Sequence, residues 1–179
     1  MVSFKGEGDI PAPIERVASV IFDTTRATEW VSDLAESKIV KWTSKDEYVE
    51  YDRIKTPPVI MKDREFVSRV KLTVDPKLKE MSFAYVPTEV PETPLQGKYV
   101  RGSLLNSGFV LRGLPGGKGT HLVGEMHCDP KGGVPKWLVN WFQKGWPSDT
   151  FKNLKKQVAK EDIRLDDHVM GFFAAGASK

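Results

Sequence analysis

Through its middle half this 179-residue chain repeats apolar residues with a period of two, and short turn sequences break the pattern. "SKIVKW" (37–42) and "DEYVEYDRI" (46–54) meet at "TSKD", which has the polar composition of a hairpin turn. "REFVSRVKLTV" (64–74) is the clearest strand: Phe66, Val70, Leu72 and Val74 fall on one face, with Ser68 as its odd polar member. "DP" at 75–76 turns the chain into "KEMSFAYV". A proline-rich loop (87–97) leads to "KYVRGSLLNSGFVLR", and "PGGKG" (115–119) leads to the last strand, "THLVGEMHC". Connections this short cannot carry the crossover that a parallel pair needs. The pattern therefore predicts one antiparallel sheet with a single apolar face that must be covered.

The flanks supply the cover. Phe4–Ile10 reads as a strand stopped by Pro11 and Pro13, and Ile14, Val17, Ala18 and Ile21 then recur at helical spacing. "RATEWVSDL" reads as a second helical turn. After the last strand, residues 132–151 hold three of the five tryptophans. With Pro135 in the first turn, Val134, Trp137, Leu138, Trp141, Phe142 and Trp146 spread over roughly half the circumference of a helix. Lys136, Asn140, Gln143 and Lys144 take the other side. A helix on a flat sheet needs a narrower stripe, so this width implies a curved sheet gripping the helix. "GWP" (145–147) should kink it, after which Phe151, Leu154 and Val158 start a new stripe opposite a basic face of Lys152, Lys155, Lys156 and Lys160. The fold class is α+β.

Composition excludes more than it specifies. With 40% hydrophobic and 28% charged residues, and no linker-like tract, the chain reads as one domain over 1–162, with a flexible tail at 163–179. A net charge of +3 permits weak attraction to an anionic membrane and does not call for nucleic acid. Cys128 is the only cysteine, which rules out an intramolecular disulfide or a thiolate metal cluster. The N-terminus lacks the apolar core of a signal peptide, and no apolar run nears the ~20 residues that span a bilayer, so a cytoplasmic monomer is expected. His121, Glu125 and His127 share one face of the last strand, opposite Leu122, Met126 and Cys128, and are read as solvated rather than as a metal or acid–base cluster. "LPGGKGT" lacks the strand–loop–helix setting of a phosphate loop. No cofactor, metal or catalytic set is expected.

Three stretches in this order, "DRIKTPPVIMKDREFVSRV", "GKYVRG" and "CDPKGGVPKWLVNW", resemble the START (StAR-related lipid-transfer) domain family. The resemblance implies a helix-grip fold: a curved antiparallel sheet wrapped around a long C-terminal helix, with an internal hydrophobic cavity. It also implies a bound lipid or other hydrophobic small molecule, in several members carried between membranes. The family's extra N-terminal helix and strands have no counterpart here. Some sterol-binding members place a buried acid and an arginine on neighbouring strands, where this chain offers Tyr51 and Val70. The expected cavity residues are Phe66, Ser68, Val70, Leu104, Asn106 and Leu122 from the sheet, with Trp137, Leu138, Trp141 and Phe142 from the helix. Ser68 and Asn106 would orient a head group, and the basic face beyond Gly145 would meet an anionic membrane transiently. Two alternatives share the fold: a polyketide cyclase-like enzyme using Ser68 or Asn106, and a ligand-sensing module presenting the loop Pro87–Pro94.

Overall fold

The computed structural model describes residues 1–56, 61–95, 97–133, 139 and 146–177. Among them, nine strands form one sheet: β1 (Val2–Ile10), β2 (Leu34–Ser44), β3 (Glu47–Ile54), β4 (Arg64–Asp75), β5 (Glu80–Pro87), β6 (Val100–Arg101), β7 (Ser103–Leu104), β8 (Ser107–Gly113) and β9 (Thr120–Asp129). The order across the sheet is β1-β9-β8-β5-β4-β3-β2, with β7 beside β9. Every pairing is antiparallel except the two-residue contact of β6 with β4. The edge strand β2 shifts register against β3 at three places along its length. Such irregularities bend a strand and increase its twist, and here they curl that end of the sheet.

The alternation on β4 comes out as the sequence dictates: Phe66, Ser68, Val70 and Leu72 are buried, while Arg69, Lys71 and Thr73 are exposed. Helix α1 (Ile14–Phe22) and the 3-10 helix Thr24–Glu29 follow β1. Two further helices, α2 (Trp146–Val158) and α3 (Asp167–Ala177), close the chain. Val17, Ala18, Ile21 and Phe22 of α1 and Leu154 and Val158 of α2 share one core with Tyr48, Val70, Leu72, Met81, Phe83, Leu111 and Leu122 of the sheet. A smaller cluster of Val2, Ala27, Leu34, Ile54, Phe66 and Cys128 lies at the other end, and the helical Val139 packs on it. The remaining turns of the expected gripping helix, with Trp137, Leu138, Trp141, Phe142 and the hinge at Gly145, lie outside the described residues.

Glycine at position 6 leaves room for α2 on the sheet. Gly6 and Gly124 face each other across β1 and β9, and a Cβ on Gly6 would stand 3.0 Å from the Phe151 ring. The C-terminal end of α2 is held by Arg16 of α1. Its guanidinium donates to the carbonyl oxygen of Val158 at 2.6 Å, a group that a helix end leaves without an intrahelical partner, and to those of Lys160 at 2.5 Å and Ile163 at 3.3 Å just beyond the helix.

Residues 163–177 differ from the expected flexible tail. Ile163 and Val169 are buried, and Asp166 caps α3 by accepting from the backbone N–H of His168 and Val169. The N–H of Asp166 in turn donates to Ser19 Oγ of α1 at 2.9 Å. His168 stacks on Phe22 with ring centroids 5.6 Å apart and meets Trp42 and Phe172 edge-on. The capping aspartate and the apolar run after it were visible in "DDHVMGFFAA", but a lone short helix is marginal without a surface to dock on.

Arg16→Ala removes three charge-assisted bonds at once. It should lower stability by about 2–3 kcal/mol, a fall in Tm on the order of 4–10 °C for a chain of this size. Differential scanning calorimetry checks the loss.

Candidate functional site

Between the two clusters the packing leaves a cavity of about 120 Å³. Its walls come from nearly every element: Phe4 of β1, Ile21 of α1, Ala27 and Trp30 near the 3-10 helix, Leu34 of β2, Ile54 of β3, Phe66 of β4, Tyr85 of β5, Leu104 of β7, Phe109 of β8, Met126 and Cys128 of β9, and Thr150 of α2. Side chains alternate across each strand, so each contributes only its inward set. A larger hollow of about 440 Å³ lies between the 3-10 helix and residues 162–166. Its wall carries Asp23, Arg26, Asp162, Arg164 and Asp166, which makes it a charged surface groove rather than an apolar receptacle.

Two carboxylates interrupt the apolar wall. Glu50 and Asp52, two residues apart on β3, both line the cavity, and Glu50 is only 7% exposed. Burial pushes the Asp52 carboxyl up to about 6. Burial, and next to it the charge of Asp52, holds the Glu50 carboxyl well above the ordinary carboxylate range. The Tyr48 hydroxyl beside Glu50 and the Ser37 hydroxyl beside both acids work against that rise, although neither closes a hydrogen bond of full geometry with a described residue. Trp30 Nε1 and Thr150 Oγ1, on other walls, are also buried without a hydrogen-bond partner among the described residues. Unpaired buried polar atoms are uncommon in folded proteins. Three such side chains in the wall, Trp30, Ser37 and Thr150, set this cavity apart from ordinary core.

The expected site residues separate into three groups. Phe66 and Leu104 line the cavity. Ser68, Val70 and Leu122 are buried on the inward face but belong to the packed core, outside the lining set. Asn106 is exposed at a bend with φ 48°, a left-handed conformation that asparagine tolerates, so its residue type answers to the backbone there. Its expected reach into the cavity is thereby corrected.

Tyr51 and Val70 stand where some sterol-binding family members place an acid and an arginine, and Val70 is part of the packed core. Tyr51 belongs to the outer face, packed with Val49 and Val67 and donating to Glu65 Oε2 at 3.1 Å. The residues on either side of it, Glu50 and Asp52, point inward instead, because a slip of one residue exchanges the faces of a strand. They share the parity of Tyr48 and Ile54, which the structure also turns inward.

Other groups fall where solvent or packing takes them. His121 pairs with Asp9 at 2.7 Å, and His127 with Glu125 at 2.9 Å and Ser3 at 2.9 Å, on the outer face. Burial pushes the Cys128 thiol up to about 12, which keeps it protonated and a poor nucleophile. No described group of acidic, histidine and cysteine side chains is arranged to hold a metal ion. No described helix is long and apolar enough to cross a membrane.

The START domain family model matches residues 3–161. The chain belongs to the START domain family. An uncharacterized protein of Pseudomonas aeruginosa is 28% identical over 160 residues, covering 88% of this chain and 76% of its own. Among solved structures, human STARD10 superposes with a TM-score of 0.79 at 20% identity, over 89% of this chain and 64% of that one. Human StAR-related lipid transfer protein 5 gives 0.79 at 22% identity, over 87% of this chain and 74% of its own. A STAR-related lipid transfer protein fragment from Xanthomonas axonopodis gives 0.72 at 23% identity, over 88% of this chain and 86% of that one. At these identities the likeness shows the helix-grip START fold. Helix α3 lies beyond the residues that the family model matches.

The raised acids set the sign of a pH effect. A carboxyl whose folded value exceeds its unfolded value binds more protons in the native state, so stability falls as pH rises through the interval between them. For Asp52 that interval runs from 3.8 to about 6, and Glu50 extends it upward. Glu29, held low by Arg26 and Lys160, acts in the opposite sense only below its unfolded value of 4.5. The ligand-free protein should therefore melt a few degrees higher near pH 5.5 than near pH 8, and Asp52→Asn should flatten the difference. Thermal melts across that range, for both proteins, check this.

Proposed function

We propose that this START domain binds one hydrophobic small molecule or lipid in the cavity walled by Ile21, Leu34, Phe66, Phe109 and Met126, and that it works without chemistry on that molecule. The observation that carries this reading is the apolar cavity itself, walled by side chains from strands across the sheet, from α1 and from α2. Uptake would be driven by removing apolar surface from water at ~25 cal/mol per Å². The names of the superposed human and Xanthomonas proteins, which describe lipid transfer, agree with it. The polyketide cyclase-like alternative drew on Asn106 and Ser68; the first is exposed and the second is outside the lining.

Transfer between membranes extends the same reading. Lys152, Lys155 and Lys156 are exposed along one side of α2, while Lys160 is engaged with Glu29 at 2.7 Å. Juxtaposed lysines near an anionic surface contribute about 1 kcal/mol each. The triple substitution Lys152→Gln, Lys155→Gln and Lys156→Gln should thus cut co-sedimentation with phosphatidylserine-containing vesicles by at least about tenfold. Equal sedimentation of both proteins would remove membrane docking by this face.

Native mass spectrometry of the purified protein, followed by organic extraction, tests ligand binding directly. A hydrophobic adduct is expected, and it should be lost in Ala27→Phe, where the new ring enters the cavity at a cost of about 1–3 kcal/mol of stability. A folded protein that carries nothing and takes up nothing from a broad lipid panel would overturn the reading.

A further inference from the structure

We propose that the Glu50–Asp52 pair receives the protonated nitrogen of an amphiphilic amine, so that the ligand class of this cavity is a hydrophobic molecule with a singly charged cationic head. The inference rests on the binding reading above and adds the head group.

Four observations carry it. First, β3 turns both carboxylates inward while its outward residues Tyr51 and Arg53 face away, so the pair is presented to the cavity by the pleat itself.

Second, the cations on neighbouring strands are committed elsewhere. Arg53 pairs with Asp63 at 2.8 Å, Arg101 with Glu65 at 3.1 Å and Lys38 with Glu36 at 2.7 Å, while Arg64 donates to the carbonyl oxygens of Lys62 and Pro130. No described lysine or arginine forms an ion pair with Glu50 or Asp52. An anion in an apolar cavity without a counter-charge is costly, and a cationic ligand supplies that charge.

Third, two carboxylates in one low-dielectric site do not both ionise readily, so the pair presents one negative charge and one hydroxyl donor. That matches one ammonium, and it opposes a carboxylate or phosphate head.

Fourth, other walls place unpartnered polar atoms in the same cavity. Thr150, 4% exposed, brings Oγ1, and Ser37 brings Oγ; both can accept an N–H from an ammonium. Trp30, Phe66 and Tyr85 add aromatic faces that favour a nearby cation.

Octylamine, 1-octanol and octanoate share one tail and differ only in the head, so titration calorimetry of the full chain near neutral pH separates the head-group contribution. Octylamine should bind at least about tenfold more tightly than either of the others. Asp52→Asn should reduce octylamine affinity by about tenfold while octanol changes less than about threefold, and Glu50→Gln with Asp52→Asn should erase the preference. If the double variant fails to show a native near-ultraviolet circular dichroism spectrum, the near-isosteric Asp52→Asn alone decides. Octanol or octanoate binding as tightly as octylamine overturns the amine assignment and leaves the hydrophobic-ligand reading standing. So does an amine preference that survives the substitutions. Silence from all three compounds overturns both.

Discussion

Tyr48, Val70, Leu72, Met81, Phe83, Leu111 and Leu122 line the concave side of the sheet, and they stay dry only because α1 and α2 lie across them. Burying each such side chain is worth roughly 1.5–3 kcal/mol, so the cover is the largest favourable contribution to the fold. The cover is in turn fastened by a few specific contacts: Arg16 on the end of α2, Gly6 under Phe151, and Ser19 on the cap of α3. Beyond this dense core the same sheet continues, and its inward side chains meet a cavity instead of one another. Core and cavity are thus two stretches of one surface, distinguished by how closely the cover approaches.

That continuity explains why the acid pair matters. In the dense part of the core an ionised carboxylate would destabilise the fold severely. At the cavity Asp52 keeps some accessible surface, and it titrates near 6 rather than being neutralised outright. Glu50 and Asp52 still cost stability at neutral pH when the cavity holds no counter-charge. Residues that work against stability at a concave site are a common mark of function rather than of packing.

Much of the architecture was legible before any coordinates. The period-two pattern and short turns identify the antiparallel sheet, and the parity of "REFVSRVKLTV" places Phe66, Ser68, Val70 and Leu72 on the buried side. The candidate site was only partly legible. Of the expected residues Phe66 and Leu104 line the cavity, whereas Val70 and Leu122 face the same side and yet pack into the core. Parity reports which side of the sheet a residue occupies and says nothing about how close the cover lies above it. Glu50 and Asp52 were missed for a related reason: in "EYVEYDRI" tyrosines and acids alternate, and both kinds of residue occur on both faces, so hydrophobicity alone could not set the phase.

Local chemistry along the chain therefore determines the strands, their inward faces, the capping aspartate of α3 and the turn at which Asn106 bends the backbone, since each depends only on neighbours within a few residues. Which inward residues enclose a cavity, whether the last helix docks, and that two carboxylates share one apolar site were decided only by the tertiary structure. Those outcomes depend on distances between β3, the 3-10 helix and α2, elements as far apart in sequence as Glu29 and Gln157, which meet at 2.9 Å. Burial, and with it every shifted carboxyl in the cavity, exists only once those elements have closed over one another.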